Sequence, residues 1–237
     1  MSAMMSCTRI VAIQGGHVEC QYEVSVRYMH GKGVEMSELE AIRWLKRAAA
    51  TSASAAFELA CCLEQGLGMR ADGGEMRKYL EIAAQAGHSG AQSKLGTCYV
   101  SGKFGRRLPK EGFMWALRAA QNGHAPSMTT VANMLFNGVG VSQDKAEAMD
   151  WYLQAARVGD PEAQYTLGRC NAEGIAVPHA DLEEAGYWYR EAALQGYGPA
   201  TAALADLPKR VVVAESSKSN LKSKSVQMMV QAAGKRL

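Results

Sequence analysis

The 237-residue sequence is poor in proline and has no long uninterrupted apolar run. Only six prolines are present, whereas Ala, Met and Leu are plentiful, and both facts favour helices over sheets. No apolar stretch approaches the roughly 18–20 residues that a membrane-spanning helix needs. The apolar run at 10–13 is too short for the core of a secretory signal. We therefore predict a helical chain without a transmembrane segment.

Signatures of catalysis and of cofactor binding are also missing. The sequence has no C-x-x-C pair, nucleophile elbow or paired-carboxylate motif, and its glycine-rich runs lack the Lys-Ser/Thr that cradles phosphate. His30 and His179 have no carboxylate or Cys at ligand spacing, and His17, His88 and His124 each follow a glycine, as capping residues do. We therefore predict that the protein is not an enzyme and holds no cofactor or metal.

Charge is distributed unevenly along the chain. Residues 208–237 hold seven Lys or Arg and one acid, a net of +6, so that residues 1–207 carry −3 of the overall +3. A mildly acidic body with a basic tail indicates that the two parts have different partners.

One sequence signature recurs every 35 to 37 residues, an aromatic residue followed by an Ala pair four and five positions later. Each copy follows a segment of about twelve residues that opens with a small residue and ends in glycine. The aromatic residues are Trp44, Tyr79, Trp115, Trp151 and Trp188, and the glycines are Gly31, Gly66, Gly102, Gly138 and Gly174. The chain therefore contains five copies of a unit of about 36 residues.

Each copy is predicted to form two helices. In the first helix, positions 1, 5, 8, 9 and 12 share one buried face, and the glycine at position 12 ends the helix. The second helix is expected to bury its aromatic residue and Ala pair. The predicted fold is an all-α, right-handed α-solenoid of about five helix-turn-helix repeats, with a tail at 208–237. The repeats span 20–54, 55–90, 91–126, 127–162 and 163–199, and partial capping helices span 4–16 and 200–207.

The pattern A-x-x-x-L-G, then G-x-G-V, then W-[YFL]-x-x-A-A-x-x-G resembles the Sel-one-like repeat, a relative of the tetratricopeptide repeat. The residues that carry the resemblance lie at 91–102, 137–160 and 163–168, with departures in the loop 103–112 and ahead of Tyr79. The resemblance implies an adaptor that gathers other proteins, and nothing in the repeat signature is catalytic.

The cysteines indicate a reducing compartment. A secreted branch of the family that this chain resembles clamps each repeat with one Cys on each helix, and here the second helices carry no Cys. Cys62, Cys98 and Cys170 share position 8 of the first helix and are expected to pack as small apolar residues. We therefore expect an intracellular protein, cytoplasmic or mitochondrial, the latter because the first 18 residues contain no acid.

Positions 4, 7 and 11 of the first helices lie opposite the buried face and are predicted to line the concave side of the solenoid. This face is small, polar and mixed in charge, which favours a peptide or helix of a protein partner over nucleic acid, and a merely solvated face is the alternative. The candidate partner-binding residues are Glu23, His30, Glu58, Gln65, Lys94, Ser101, Asn133, Asn137, Arg169 and Glu173.

Two basic segments complete the candidates. In the loop 103–112 and the tail, the candidate basic contacts are Lys103, Arg106, Arg107, Lys110, Lys218, Lys222, Lys224, Lys235 and Arg236. Residues 225–236 can form a short amphipathic helix, which can fold back on the solenoid, dock in a partner, or bind RNA or anionic membrane. The sequence predicts a scaffold in a larger complex. The alternative is an accessory subunit of a ribonucleoprotein, such as an organellar ribosome, held by the tail and the loop 103–110.

Overall fold

The computed structural model describes residues 17–208, which form eleven α-helices and no strand. The helices follow one another in pairs, and each pair is a first helix and a second helix of one repeat. The pairs are α1 (Val18–His30) with α2 (Glu38–Ala48), α3 (Ala53–Gln65) with α4 (Gly73–Gln85), α5 (Ser89–Ser101) with α6 (Pro109–Gln121), α7 (Ala125–Asn137) with α8 (Lys145–Arg157), and α9 (Pro161–Glu173) with α10 (Leu182–Leu194). A further helix, α11 (Gly198–Asp206), follows the fifth pair. The all-α repeat fold is confirmed.

The chain divides into two compact units between His124 and Ala125. We call residues 17–124 unit 1, which contains three helix pairs, and residues 125–208 unit 2, which contains two helix pairs and α11. The predicted capping helix at 4–16 lies outside the described residues, and so do the tail from residue 209 and its predicted helix at 225–236.

Helix ends are set by local chemistry that repeats along the chain. The carboxylates of Asp72, Asp144 and Asp181 accept hydrogen bonds from the first-turn N–H groups of α4, α8 and α10. At the other end, the glycine at position 12 of each first helix has φ between 66° and 78°. Glycine takes up this left-handed conformation without the steric cost that a side chain would add, so the prediction that it ends the helix is confirmed.

The interior is built from the positions that repeat. At position 5 of the first helix, Leu59, Leu95 and Leu167 are at most 2% exposed, and each first helix packs most closely against the second helix of its own repeat. The Ala pairs at the ends of α2, α4, α6 and α8 are also buried. Small side chains at these positions let neighbouring helices approach closely, which gives the repeats similar interiors.

The aromatic residues of the second helices are less uniformly buried than the sequence pattern predicts. Trp44 and Trp188 are 3% and 5% exposed, whereas Tyr79, Trp115 and Trp151 are only half-buried. The Arg118 guanidinium lies 4.7 Å from the centre of the Trp115 ring and covers it from the solvent side. The expectation that every second helix buries its aromatic residue is therefore wrong for three of the five repeats.

Candidate protein-binding surface

The predicted partner-binding residues lie at the surface of both units. Lys94 and Asn133 are half-buried, and the exposed residues are Glu23, His30, Glu58, Gln65, Ser101, Asn137, Arg169 and Glu173. The neighbouring positions 1, 5 and 8 of the same helices are mostly buried. The first helices therefore present these side chains to solvent, and their part in binding stays a prediction.

A cleft of about 180 Å³ in unit 1 brings two of these residues together. It is formed by α1, α2 and α3, and its apolar side consists of Val26, Met29 and Leu45. His30 of α1 and Glu58 of α3 line the same cleft, although 28 residues separate them in the sequence. An apolar surface and a carboxylate are therefore presented side by side.

Negative charge gathers at this cleft. Burial raises the pKa of the Tyr22 hydroxyl, and the nearby carboxylates of Glu58 and Glu23 raise it further. Glu23 also pairs with Arg27, whose Nε lies 2.9 Å from its Oε1, so part of its charge is already compensated. Glu58 is thus the carboxylate best placed to meet a cation that enters the cleft.

Lys94 is already engaged within unit 1. Its Nζ lies 2.5 Å from Oε2 of Glu64 on α3, and Lys103, in the loop after α5, pairs with the other oxygen of the same carboxylate. The hydrogen bonds from Lys103 and Lys94 lower the pKa of Glu64. Lys94 and Lys103 therefore link the first helices of repeats 2 and 3, and their charge is partly neutralised by Glu64.

Asn133 is similarly engaged within unit 2. Its Nδ2 donates to Oε1 of Glu162 at 3.4 Å, and its Oδ1 accepts from the hydroxyl of Tyr152. Asn133 thus joins α7 to both α8 and α9. Arg169 and Glu173, on the exposed side of α9, are the charged candidates of this unit.

The basic loop after α5 exposes Arg106 and Arg107 to solvent, whereas Lys103 pairs with Glu64. The predicted loop 103–112 ends at residue 108, because α6 begins at Pro109, so the exposed Lys110 lies in the first turn of α6. The candidate basic residues of the tail lie outside the described residues. The ribonucleoprotein alternative therefore depends on residues of the tail together with three exposed basic residues, two in this loop and one at the start of α6.

Sequence reasoning missed a buried amide that joins three consecutive helices in unit 1. Gln92 on α5 is 4% exposed, and its Nε2 donates to the carbonyl of Ala84 near the end of α4 at 3.0 Å. Its Oε1 accepts from Nδ2 of Asn122 at the end of α6, also at 3.0 Å. We call this arrangement the amide bridge.

The amide bridge recurs in unit 2. Gln164 on α9 is also 4% exposed, and its Nε2 donates to the carbonyl of Ala156 at 3.1 Å. Its Oε1 accepts from Nε2 of Gln195 at 2.9 Å. The shared dipeptide Ala-Gln in "AQSKLG" and "AQYTLG" is the sequence signal that could have revealed both bridges.

The thiols at position 8 of the first helices are free and shielded from solvent. Cys62 and Cys98 are 4% exposed and Cys170 is fully buried. Burial raises the pKa of all three thiols, and that of Cys62 rises to about 11 with help from the Glu58 carboxylate. These cysteines pack as small apolar side chains and have little thiolate character.

Residues 17–208 offer no further chemical centre of a familiar kind. Within this range, no three His, Cys, Asp or Glu side chains group in a way that could hold a metal ion. None of the helices of this part of the chain combines the length and the apolar character needed to cross a bilayer.

Comparisons with known proteins agree with this description. Five consecutive segments match the family model described as the Sel1 repeat, at residues 18–50, 53–88, 89–124, 125–160 and 161–197. The crystal structure of a Sel1 repeat protein from Oxalobacter formigenes is 28% identical, with a TM-score of 0.75, and the match covers 92% of this chain and 85% of that one.

More distant matches show the fold alone. An immunity protein from Pseudomonas aeruginosa is 16% identical, with a TM-score of 0.52 over 83% of this chain and 76% of its own. A second immunity protein from the same organism is 17% identical, with a TM-score of 0.51 over 79% and 72%. A comparison with curated proteins gave no significant match.

Proposed function

The chain belongs to the Sel1 repeat family, and on that premise we propose that it is an adaptor that binds a short segment of another protein on its first helices. Sel1 repeat proteins generally mediate protein–protein interactions, and the repeat is generally non-catalytic. The observation that carries the proposal is the cleft of unit 1, where Val26, Met29 and Leu45 lie beside Glu58.

The size of the cleft favours one side chain of a longer segment over a free small molecule. Its volume of about 180 Å³ is below the range of roughly 300–1,000 Å³ that is usual for small-molecule sites. An apolar side chain of the partner would contact Val26 and Met29. A Lys or Arg a few residues away would pair with Glu58, because a charge-assisted hydrogen bond at a half-enclosed edge is stronger than a neutral one.

The rest of the exposed face supplies specificity in this proposal. Positions 4, 7 and 11 differ from repeat to repeat, whereas positions 1 and 5 are nearly constant. Along unit 1 the partner would meet Gln65 and Ser101. Asn137, Arg169 and Glu173 are the candidate contacts of unit 2, taken by itself. The specificity of binding to such a surface depends on the pattern of polar contacts more than on the buried apolar area.

The basic tail is the second contact of the proposed adaptor, within a larger complex. Its seven Lys and Arg residues against one acid suit an acidic surface of a partner. We further propose a reducing intracellular compartment, cytoplasmic or mitochondrial, because the second helices carry no Cys that could clamp a repeat by a disulfide.

Affinity purification with quantitative mass spectrometry tests the proposal. The full-length chain is compared with the variants Glu58→Lys and Val26→Asp. The matched control for the charge change is Glu75→Lys, at an exposed position of α4. We expect both cleft variants to lose the bound protein at least about tenfold, equivalent to about 1.4 kcal/mol, and the control to keep it. Circular dichroism confirms that each variant is folded.

Two further conditions in the same purification distinguish the proposed adaptor from the ribonucleoprotein alternative. Nuclease treatment and deletion of residues 209–237 should leave the cleft-bound protein in place. Retention of the same proteins by both cleft variants would contradict the proposed site. Loss of all bound proteins after nuclease treatment, with a steep dependence on salt, would favour binding through RNA.

A further inference from the structure

Helix α11 has the sequence register of a first helix, but the face that a second helix would cover is open. Ala200 at position 1 is fully buried by the preceding repeat. At position 5, Leu204 is only half-buried, whereas Leu95 and Leu167 at the same position are at most 2% exposed. At position 6, Ala205 is exposed. An apolar helix end of this kind needs a cover.

Complete repeats show what covers position 6. A Cβ atom added to Gly168 would lie 2.5 Å from the Tyr189 ring on α10. One added to Gly96 would lie 2.9 Å from the Gly112 carbonyl oxygen on α6. In these two repeats position 6 therefore lies directly beneath the second helix of the same repeat, whereas no described residue buries Ala205 at position 6 of α11.

A segment near the C-terminus has the sequence of such a helix. "MMVQAA" at 228–233 matches "WYLQAA" at 151–156, with Gln and the Ala pair at the same spacing. The buried residues of the first second helix are Ala41, Ile42, Trp44, Leu45, Ala48 and Ala49, and in register with them stand Ser225, Val226, Met228, Met229, Ala232 and Ala233. The exposed Arg43 and Arg47 correspond to Gln227 and Gln231.

We propose that residues 222–233 form the second helix of a sixth repeat and pack on α11 of the same chain. The matched positions place Val226, Met228, Met229 and the Ala pair on the face that α11 requires, with Ser225 as the small residue at the position of Ala41. Val230 is in register with the exposed Lys46 of repeat 1 and with the buried Leu153 of repeat 4. This assignment goes beyond the adaptor function and holds whether or not a partner binds.

Chain length permits this arrangement. From position 1 of the first helix to the aromatic position takes 24 or 25 residues in the five repeats and 28 from Ala200 to Met228. Helix α11 has 9 residues, whereas the other first helices have 13. The connection from α11 to the proposed helix, residues 207–221, has 15 residues, against 7 or 8 in the five repeats. Closure entropy grows only slowly with length, so doubling the connection adds little cost.

Charge favours the same site. Unit 2 carries eleven acidic residues against four Lys and Arg, whereas residues 209–237 carry seven Lys and Arg against one acid. Docking would bring this excess of positive charge to the unit with the excess of negative charge. It would also hold Lys222 and Lys224 at a defined place beside α11, rather than at the end of a free tail.

A pair of introduced cysteines in the full-length chain tests the register. Ala205→Cys with Met229→Cys places two thiols at the positions occupied in repeat 5 by Gly168 and Tyr189. Ala205→Cys with Gln227→Cys is the matched control, since position 227 is predicted to face solvent. Both variants carry serine in place of Cys7, Cys20 and Cys61 to prevent exchange. Disulfides formed under mild oxidation are identified by mass spectrometry of unreduced digests.

We expect the 205–229 disulfide to form within one chain and about tenfold faster than the 205–227 disulfide, because only the facing pair satisfies disulfide geometry. Equal rates for the two pairs would show that the segment is not docked in this register. Disulfides between chains would show that another copy covers α11, and would also overturn the proposal. Met229→Asp should accelerate hydrogen exchange in α11, and Gln227→Asp should leave it unchanged.

Discussion

Unit 1 carries fourteen Lys and Arg against eleven Asp and Glu, a net of +3, whereas unit 2 carries four against eleven, a net of −7. The interiors do not share this difference. Leu95 and Leu167 occupy the same buried position, and each unit contains one amide bridge. Repeats with the same interior can therefore carry surfaces of opposite charge.

The links between neighbouring first helices differ in the same way. Between α3 and α5, Glu64 pairs with Lys94 and Lys103. Between α7 and α9, neutral donors meet carboxylates, since Thr129 donates to Asp160 at 3.0 Å and Asn133 donates to Glu162. The helix packing fixes which positions meet, and the chemistry at those positions is free to vary.

The largest effects should test whether the interiors are equivalent. Leu95→Ala and Leu167→Ala each remove a side chain at most 2% exposed, and we expect each to lower the free energy of unfolding by about 2–5 kcal/mol. Urea unfolding gives the totals, and hydrogen exchange shows which unit opens. If the loss of unfolding free energy were much smaller in one unit than in the other, the interiors of the two units would not be equivalent.

The amide bridges should give the next largest effect. Gln92→Ala leaves the Ala84 carbonyl and the Asn122 amide without their buried partner, and Gln164→Ala does the same in unit 2. We expect a loss of about 1–3 kcal/mol in either case. Gln65→Ala, at an exposed position, is the control and should stay within about 0.5 kcal/mol. If the two bridge variants behave like the control, the bridges contribute no net stability.

Ion pairs should distinguish the units by their response to acid and salt. Glu64→Gln should cost at most about 1 kcal/mol, because the carboxylate is partly exposed. The Glu64 pKa is lowered in the folded state, so its contribution is present above the unfolded value near 4.5 and is lost as pH falls through the folded value. The loss of stability caused by Glu64→Gln should also shrink at high salt, because its partners are charged. The loss caused by Glu162→Gln should not depend on salt, because its partner Asn133 is neutral. Urea midpoints at low and high salt, at neutral and acidic pH, make the comparison.

The smallest effect should be a response of unit 1 to mild acid. Burial lowers the pKa of His124 below 6.5, and the nearby His88 lowers it further. The folded state therefore binds this proton less readily than the unfolded state, so stability is complete above the unfolded pKa and falls as pH drops below it. His124→Asn should flatten the pH dependence of the unfolding free energy between about pH 7 and 5. An unchanged slope would assign the response to other groups.

The sequence predicted the helix pairs and most of their ends, because repeated spacing of Ala, Leu and Gly reports one buried face per helix. It also placed Glu58 and His30 on an exposed face. It did not reveal that these two residues share a cleft, or that Asn122 meets Gln92 across 30 residues. Such contacts depend on side-chain conformation and on the distance between neighbouring helices, and the periodicity of the sequence encodes neither. The half-exposed Trp151 was mispredicted for the same reason.

The buried thiols at position 8 give the chain internal reporters of its own opening. Cys62, Cys98 and Cys170 lie in the second, third and fifth repeats, and each is out of reach of an alkylating reagent while its repeat is closed. The rate at which each thiol is alkylated therefore records how often that repeat opens. Peptide mapping of the labelled chain measures the three alkylation rates in one experiment, without any introduced probe.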